Sequence, residues 1–404
     1  MPFISASAIS PYNSIRGGGA GSLVPLLLDL YPNASAAYSL RKLRADYEGP
    51  AIQVRIDTAT SPQPSYNIGF DSNGNLDTAD LLSKAAGNDA YVSTWYDQSG
   101  GNDAVNVVAS SQPQIVSSGS VLTLNGKPAL YSDGTKLLQT ASTNISVADA
   151  NGNRSAFGTL NIATNNSLLV SYIDGGTNLL YPIGYFDSLG GLTINLGGGF
   201  RDSVPYTLNN DSIFTSIVSN IEVEIWNNNV SNGATARGTI TLGTTRISLF
   251  ARNINNLALQ GFSNEIILYP SDQSANRAGI ESNINSNYNI YWDGSQTGLL
   301  DDYPNASAAY SLRALSSTYT GPAIEARKTV GGVTSIKDIG FLYDGSLDTT
   351  SLLSFAGSDD VFVAKWYDQS GGNDIEQGSD SAQPQIVSNG VVVTTSGNYA
   401  VDFT

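Results

Sequence analysis

The chain repeats itself, and the second copy is partial. Tyr31-Pro-Asn-Ala-Ser-Ala-Ala-Tyr-Ser-Leu-Arg41 returns unchanged as Tyr303 to Arg313. Trp95-Tyr-Asp-Gln-Ser-Gly-Gly-Asn-Asp103 returns as Trp366 to Asp374, and Gln112-Pro-Gln-Ile-Val116 as Gln383 to Val387. Tyr38 and Tyr310 are 272 residues apart, whereas Trp95 and Trp366 are 271 apart, so one residue is lost between the blocks. A period this long marks a domain-sized unit rather than a short solenoid repeat. The expected organisation is an N-terminal docking arm over 1–27, a complete module over 28–291, a linker over 292–301 and a partial second copy over 302–404. A sheet lacking its later strands exposes an edge and an apolar face. Three outcomes are open: a longer product, strands supplied by another subunit, or a half-copy packed as an incomplete layer.

Local patterning points to strands. Ala51–Ile56, Ala90–Tyr96, Gln114–Val116, Ala156–Ile162, Ser167–Ile173, Gly191–Leu196, Ile213–Val218, Thr239–Leu242, Arg246–Arg252 and Gly261–Tyr269 are rich in β-branched and aromatic residues. Most are bounded by Gly, Asn or Asp. Ile221-Glu-Val-Glu-Ile-Trp226 alternates apolar with acidic, the pattern of a strand with one wet face. Two helices are expected. One runs from Ser35 to about Tyr47, capped by Asn33. The other is capped by Ser271 or Asp272 and runs to Tyr288, with Ile280, Ile284 and Tyr288 on its buried side. So many short strands and so few helices predict an all-β sandwich.

Composition excludes several chemistries. The chain has no Cys and no His, which removes disulfides, thiolate and imidazole metal sites, and Cys or His catalysis. Any catalysis must rest on carboxylates, Tyr or Lys. A net charge of −16 repels phosphate backbones, so nucleic acid is not an expected partner. No stretch approaches the ~20 apolar residues that span a bilayer, so membrane insertion is not expected.

The run Ala37-Tyr-Ser-Leu-Arg41, with Tyr47, Gly49-Pro-Ala51, Val54-Arg55, Ile68-Gly69 and Trp95 to Asp103, resembles a module of tailed-bacteriophage structural proteins. The same segment resembles the opening of the catalytic domain of α-L-arabinofuranosidase B enzymes. Phe262 to Tyr291 is similar to the end of bacterial laminin G-like modules. The resemblance implies a concanavalin A-like jelly-roll β-sandwich with short flanking helices, plus a partial second copy. In the arabinofuranosidases the nucleophilic Glu lies beyond the Tyr-Asp-Gln-Ser motif, near adjacent cysteines that this chain lacks. Between Glu48 and Glu265 the only glutamates are Glu222 and Glu224. Two apart on one strand, they point to the same face, where solvent exposure is the simpler reading. Asp174, Asp187 and Asp202 stand as acids without a partner the sequence can name, so no catalytic residue is assigned.

Tyr172, Asp174, Tyr181, Tyr185, Tyr206 and Trp226 are candidate carbohydrate-binding residues, because aromatic rings beside polar groups offer stacking area to a sugar. Core packing is the competing role for each ring. Asp97, Gln98, Asn102 and Asp103, with Asp368, Gln369, Asn373 and Asp374 in the second copy, read as structural loops whose side chains satisfy backbone N–H groups. Asp71 to Asp77 spaces oxygens like half a calcium loop. The second copy replaces Asp71 with Leu342, so a hairpin turn is preferred and no metal or cofactor is assigned.

These readings combine into an expectation: a non-enzymatic virion component of a tailed phage, in a fibre or other appendage. It would dock other virion proteins through the arm and bind host-surface glycan as a homo-oligomer, with a trimer as one symmetric form. Avidity would replace single-site affinity. The alternative is a carbohydrate-active enzyme of arabinofuranosidase type or a secreted carbohydrate-binding module, acting outside the cell.

Overall fold

The computed structural model describes residues 25–403 apart from 175–177, 187–190, 196–200, 237–244, 254–255 and 295–296. The first module contains β1 (Ala36–Ser39), β2 (Ile52–Ile56), β3 (Ser65–Ile68), β4 (Ala90–Trp95), β5 (Ala104–Val105), β6 (Gln114–Ser117), β7 (Leu130–Asp133), β8 (Leu138–Thr140) and β9 (Arg154–Ile162). It continues with β10 (Val170–Asp174), β11 (Asn178–Phe186), β12 (Gly191–Asn195), β13 (Arg201–Pro205), β14 (Asp211–Val218), β15 (Glu222–Asn227), β16 (Arg246–Leu249), β17 (Gln260–Ser263) and β18 (Glu265–Tyr269). The helices α1 (Thr78–Ala85) and α2 (Arg277–Tyr288) flank them, with a single helical turn over Leu27–Leu30 ahead of β1.

All these strand pairs are antiparallel. One layer runs β3–β2–β4–β6–β7, then the nearly continuous β17–β18, then β9–β14–β15. The other runs β5–β8–β16–β10–β11–β12–β13 and joins the first where β5 pairs with β4. Leu160 and Phe214 of the first layer and Ile183 and Leu192 of the second belong to one buried core. Gly158 lets the layers close up, since a Cβ there would sit 3.3 Å from the Ile183 side chain. The chain is therefore an all-β jelly-roll-like sandwich, as its patterning implies.

The β17–β18 rod organises the module. Ile266 and Leu268 face the inter-sheet core, and Ile267 and Tyr269 face a second cluster with Ile280, Ile284 and Tyr288 of α2. Burial on both faces explains the unbroken Ile-Ile-Leu-Tyr run. Its free edge takes β1 beside β18 and β7 beside β17.

That pairing corrects the first expected helix. Ala36–Ser39 is a strand paired residue for residue with Leu268 to Glu265. Ala37 and Leu43 lie in the α2 cluster, and Leu40 in the inter-sheet core. The 3.6-residue spacing that suggested a helix is a coincidence of an extended segment buried on both sides. The second helix forms with Ile280, Ile284 and Tyr288 buried, but it starts at Arg277. Asp272 instead bonds the backbone N–H of Ser274 at 2.8 Å. The helix α1, capped by Asp77, and the strands β3, β11 and β13 were not read from the sequence. The Thr239–Leu242 strand lies outside the described residues, as do residues 1–24 of the expected arm.

The second copy forms β19 (Ile324–Val330), β20 (Val333–Ile339), β21 (Val361–Trp366), β22 (Gln385–Ser388) and α3 (Thr349–Ala356) around its own core. It meets the first module through polar contacts: Lys337 Nζ to Asn210 Oδ1 at 3.0 Å, Thr350 Oγ1 to Asn125 Oδ1 at 3.2 Å, and Asp344 N to Asn289 Oδ1 at 2.9 Å.

Candidate functional site

The outward edge of β13 and β15 brings two carboxylates and an aromatic ring together. In β15, Val223 and Ile225 are buried, which turns Glu222, Glu224 and Trp226 to the other face. Glu224 accepts a 2.6 Å hydrogen bond from Ser231 Oγ on the return hairpin. Asp202 of β13 sits close enough for Glu224's charge to act on it. Burial pushes the Asp202 carboxyl above the usual aspartate range, and Glu224 pushes it the same way. Bonds from the Ser203 N–H and the Thr235 hydroxyl pull against them. Asp202 Oδ1 takes the Ser203 N–H at 2.9 Å, while Oδ2 is buried with no hydrogen-bond partner among the described residues. A buried carboxyl oxygen beside a second carboxylate favours the neutral form of the acid. The sequence put Asp202 forward without a partner; the fold supplies Glu224. Glu224 faces away from the core and is half-buried, whereas Glu222 is exposed.

Trp226 is half-buried on the same face, with the Arg277 guanidinium 4.7 Å from its ring centroid. Two of the other candidate rings are corrected. Tyr172 is 1% exposed and Tyr206 7%, so neither offers a face to a sugar. Tyr206 is a structural clamp whose hydroxyl accepts the Ile162 N–H at 2.7 Å and donates to the Asn210 carbonyl at 2.8 Å. Asp174, Tyr181 and Tyr185 have strand backbones in β10 and β11. Their side chains lie outside the described part of the structure, as does Asp187.

The repeated loop is a backbone clamp in both copies. Asp97 Oδ1 accepts the N–H groups of Ala37 (2.8 Å) and Ser99 (2.9 Å), and Oδ2 that of Asn102 (3.1 Å). Gln98 takes the Leu43 N–H and donates to the carbonyls of Ser39 and Arg41. Asp103 holds the Asp97 N–H, and Asn102 donates to the Ser35 carbonyl. Asp368, Gln369, Asp374 and Asn373 repeat these bonds to Ala309, Leu315, Asp368 and Ser307. In the first hairpin Asp71 accepts the N–H groups of Asn73 and Asn75, both at 2.9 Å.

A second acid titrates high. Asp211 of β14 is buried and is pushed up to about 6, first by burial and further by Asp348 of the second copy; a hydrogen bond from Asn161 opposes the shift.

No family model and no curated protein matches the sequence. Solved structures do match the fold. An arabinofuranosidase complexed with arabinofuranosyl-α-1,2-xylobiose aligns at a TM-score of 0.51 and 15% identity, over 89% of this chain and 81% of that one. A GH54 α-L-arabinofuranosidase mutant soaked with 4-nitrophenyl α-L-arabinofuranoside aligns at 0.50 and 16%, over 77% and 74%. A GH54 α-L-arabinofuranosidase soaked with a cyclic sulfate inhibitor aligns at 0.50 and 15%, over 84% and 81%. At this identity the likeness establishes a shared β-sandwich fold. It also corrects the expectation of a non-enzymatic phage fibre or appendage protein: these three structures with the matching fold are glycosidases, and none of the three is a virion protein.

Proposed function

We propose that this chain is a carbohydrate-active protein of glycosidase type, with Asp202 as proton donor and Glu224 as the second carboxylate. The observation that carries the reading is the Asp202 carboxyl beside Glu224, pushed upward by burial, with its Oδ2 buried and its Oδ1 held by the Ser203 N–H. Glycoside hydrolysis needs such a pair: one acid to protonate the leaving oxygen, and one carboxylate to attack the anomeric carbon or activate water. A carboxyl shifted upward by burial suits the first role, and a second carboxylate beside it suits the second. Trp226, two residues from Glu224 on the same face, adds a platform for a sugar ring. The fold shared with arabinofuranosidases favours an arabinofuranosyl glycan as substrate.

The test is release of 4-nitrophenol from 4-nitrophenyl α-L-arabinofuranoside by the purified chain, beside Asp202→Asn and Glu224→Gln. Each substitution should lower release by roughly 10²-fold or more. Turnover untouched by both would remove the assignment. Binding of arabinosyl oligosaccharide without turnover would place the chain among carbohydrate-binding modules instead.

A further inference from the structure

The loop after β5 carries two exposed valines that its own conformation does not require. Val107 is 93% exposed and Val108 54%. Polar neighbours hold the loop. Asn106 Oδ1 accepts the Val108 N–H at 2.8 Å, the Asn106 carbonyl accepts Gln112 Nε2 at 2.8 Å, and the Ser111 carbonyl accepts the Leu137 N–H at 2.9 Å. The second copy builds the same turn from other residues. Gln377 Oε1 accepts the Ser379 N–H at 2.9 Å, and the Gln377 carbonyl accepts Gln383 Nε2 at 2.8 Å. There Gly378 and Ser379 stand in place of the valines. One copy omits the apolar pair without losing the turn, so folding does not explain it.

The valines wall a cavity of about 320 Å³ that is also lined by Val105, Leu137, Gln139 and Arg246. That volume lies at the lower end for small-molecule sites. Ile247 and Leu249 of β16 face the inter-sheet core, which turns Arg246 to the opposite face. Gln139 of β8 lies on that face too, its Nε2 donating to Ser248 Oγ at 3.2 Å. Arg246 is half-buried. Its Nε is buried with no hydrogen-bond partner among the described residues, and no described carboxylate pairs with it. The described lining holds no acidic residue, although the chain carries a net charge of −16. A half-buried cation without a counterion, set against an aliphatic wall, specifies what the cavity accepts.

We propose that this cavity binds a small monocarboxylate with an apolar body, of the aryl carboxylate kind. The Arg246 guanidinium takes the carboxylate, because its planar donor fork matches two oxygens. Val105, Val107, Val108 and Leu137 take the ring and lose their contact with water. The loop is already pinned, so little ordering opposes binding. Arg246 lies four strands from Asp202 across the same layer, through β16–β10–β11–β12–β13. The site is therefore separate from the acid pair and stands independently of the glycosidase reading.

The probe is 4-fluorobenzoate, titrated into the full 404-residue chain and followed by fluorine NMR. Saturable one-to-one binding is expected. The neutral isostere 4-fluorobenzamide and the bare anion acetate should each bind about tenfold more weakly or worse, since one lacks the charge and the other the apolar body. Arg246→Gln should weaken 4-fluorobenzoate about tenfold or more. Val107→Gly combined with Val108→Ser, the residues of the second copy, should weaken it roughly fivefold. Both valines are exposed, so circular dichroism of that variant should match the parent. Absent or unsaturable binding would overturn the proposal, as would binding indifferent to the valine changes. Acetate or 4-fluorobenzamide binding as tightly as 4-fluorobenzoate would overturn it too, by removing the wall or the charge from recognition. Glucuronate binding more tightly than 4-fluorobenzoate would assign the cavity to an acidic sugar and overturn the apolar-body assignment.

Discussion

Arg41 and Glu265, 224 residues apart in sequence, close the first module as a two-pronged ion pair, each bond 2.8 Å long. Glu265 is wholly buried and also accepts from Ser39 Oγ at 2.7 Å and Tyr288 Oη at 3.0 Å. The pair therefore ties β1, β18 and α2 at one point. Arg41→Ala strands a buried carboxylate, and breaking a buried pair in this way costs about 3–5 kcal/mol. Urea denaturation should show that loss as a lower midpoint with an unchanged slope. A change below about 1 kcal/mol would mean that Glu265 finds another counterion.

The Asp97 clamp should matter more than its copy. Asp97→Ala leaves the N–H groups of Ala37, Ser99 and Asn102 without their acceptor. The buried Ala37 orphan costs about 1–3 kcal/mol and the half-buried Ser99 and Asn102 groups less, so a total near 3 kcal/mol is expected. Asp368→Ala should cost clearly less, because Ala309 and Asn373 are partly or fully exposed and water can replace the carboxylate. Thermal melts of the two variants compare them directly, and equal losses would contradict the argument.

Asp211 makes stability depend on pH. Its folded value of about 6 lies above the ordinary 3.8, so the folded state holds the proton more tightly than the unfolded chain does. Its stabilising share is complete below about pH 4, is lost as pH rises through 6, and stays flat above that. Asp211→Asn is neutral throughout. The variant should gain on the order of 2 kcal/mol over the parent at pH 7 and nothing at pH 4. Melting temperatures of both proteins across that window measure the difference; a pH-independent gap would exclude Asp211 as the source.

The proposed acid pair also has a pH signature. Activity should fall on the alkaline side as Asp202 loses its proton, at a pH above the ordinary aspartate range. Asp202→Asn should remove that limb together with the activity. Trp226→Ala should raise KM several-fold with a smaller effect on kcat, because stacking holds substrate and transition state alike. A fall in kcat alone would assign Trp226 a different role.

Much of this molecule is written locally. The repeat, the strand-rich pattern and the Ile280–Ile284–Tyr288 stripe are short-range properties, and a period of two or of 3.6 states which face is buried. Alternation in Ile221 to Trp226 placed Glu224 and Trp226 on one face. It could not show that Asp202, on a strand of the opposite layer, would lie beside them. Tyr172 and Tyr206 look like sugar platforms in sequence, since an aromatic residue in a Gly-rich stretch reads the same whether its ring points out or in. Asp202 and Asp211 carry no local sign of their raised titration, because burial and a neighbouring charge arise only once distant strands meet.

The sequence alone determined the all-β class, the domain-length repeat and the exclusion of Cys and His chemistry, because composition and periodicity survive without a partner. Tertiary structure alone decided that Ala36–Ser39 is a strand rather than a helix, that Arg41 finds Glu265, and that Asp202 gains Glu224. The physical reason is range. Backbone preference and amphipathicity act over a few residues, whereas strand order, desolvation and charge pairing depend on segments brought together from separate strands, 224 residues apart for Arg41 and Glu265.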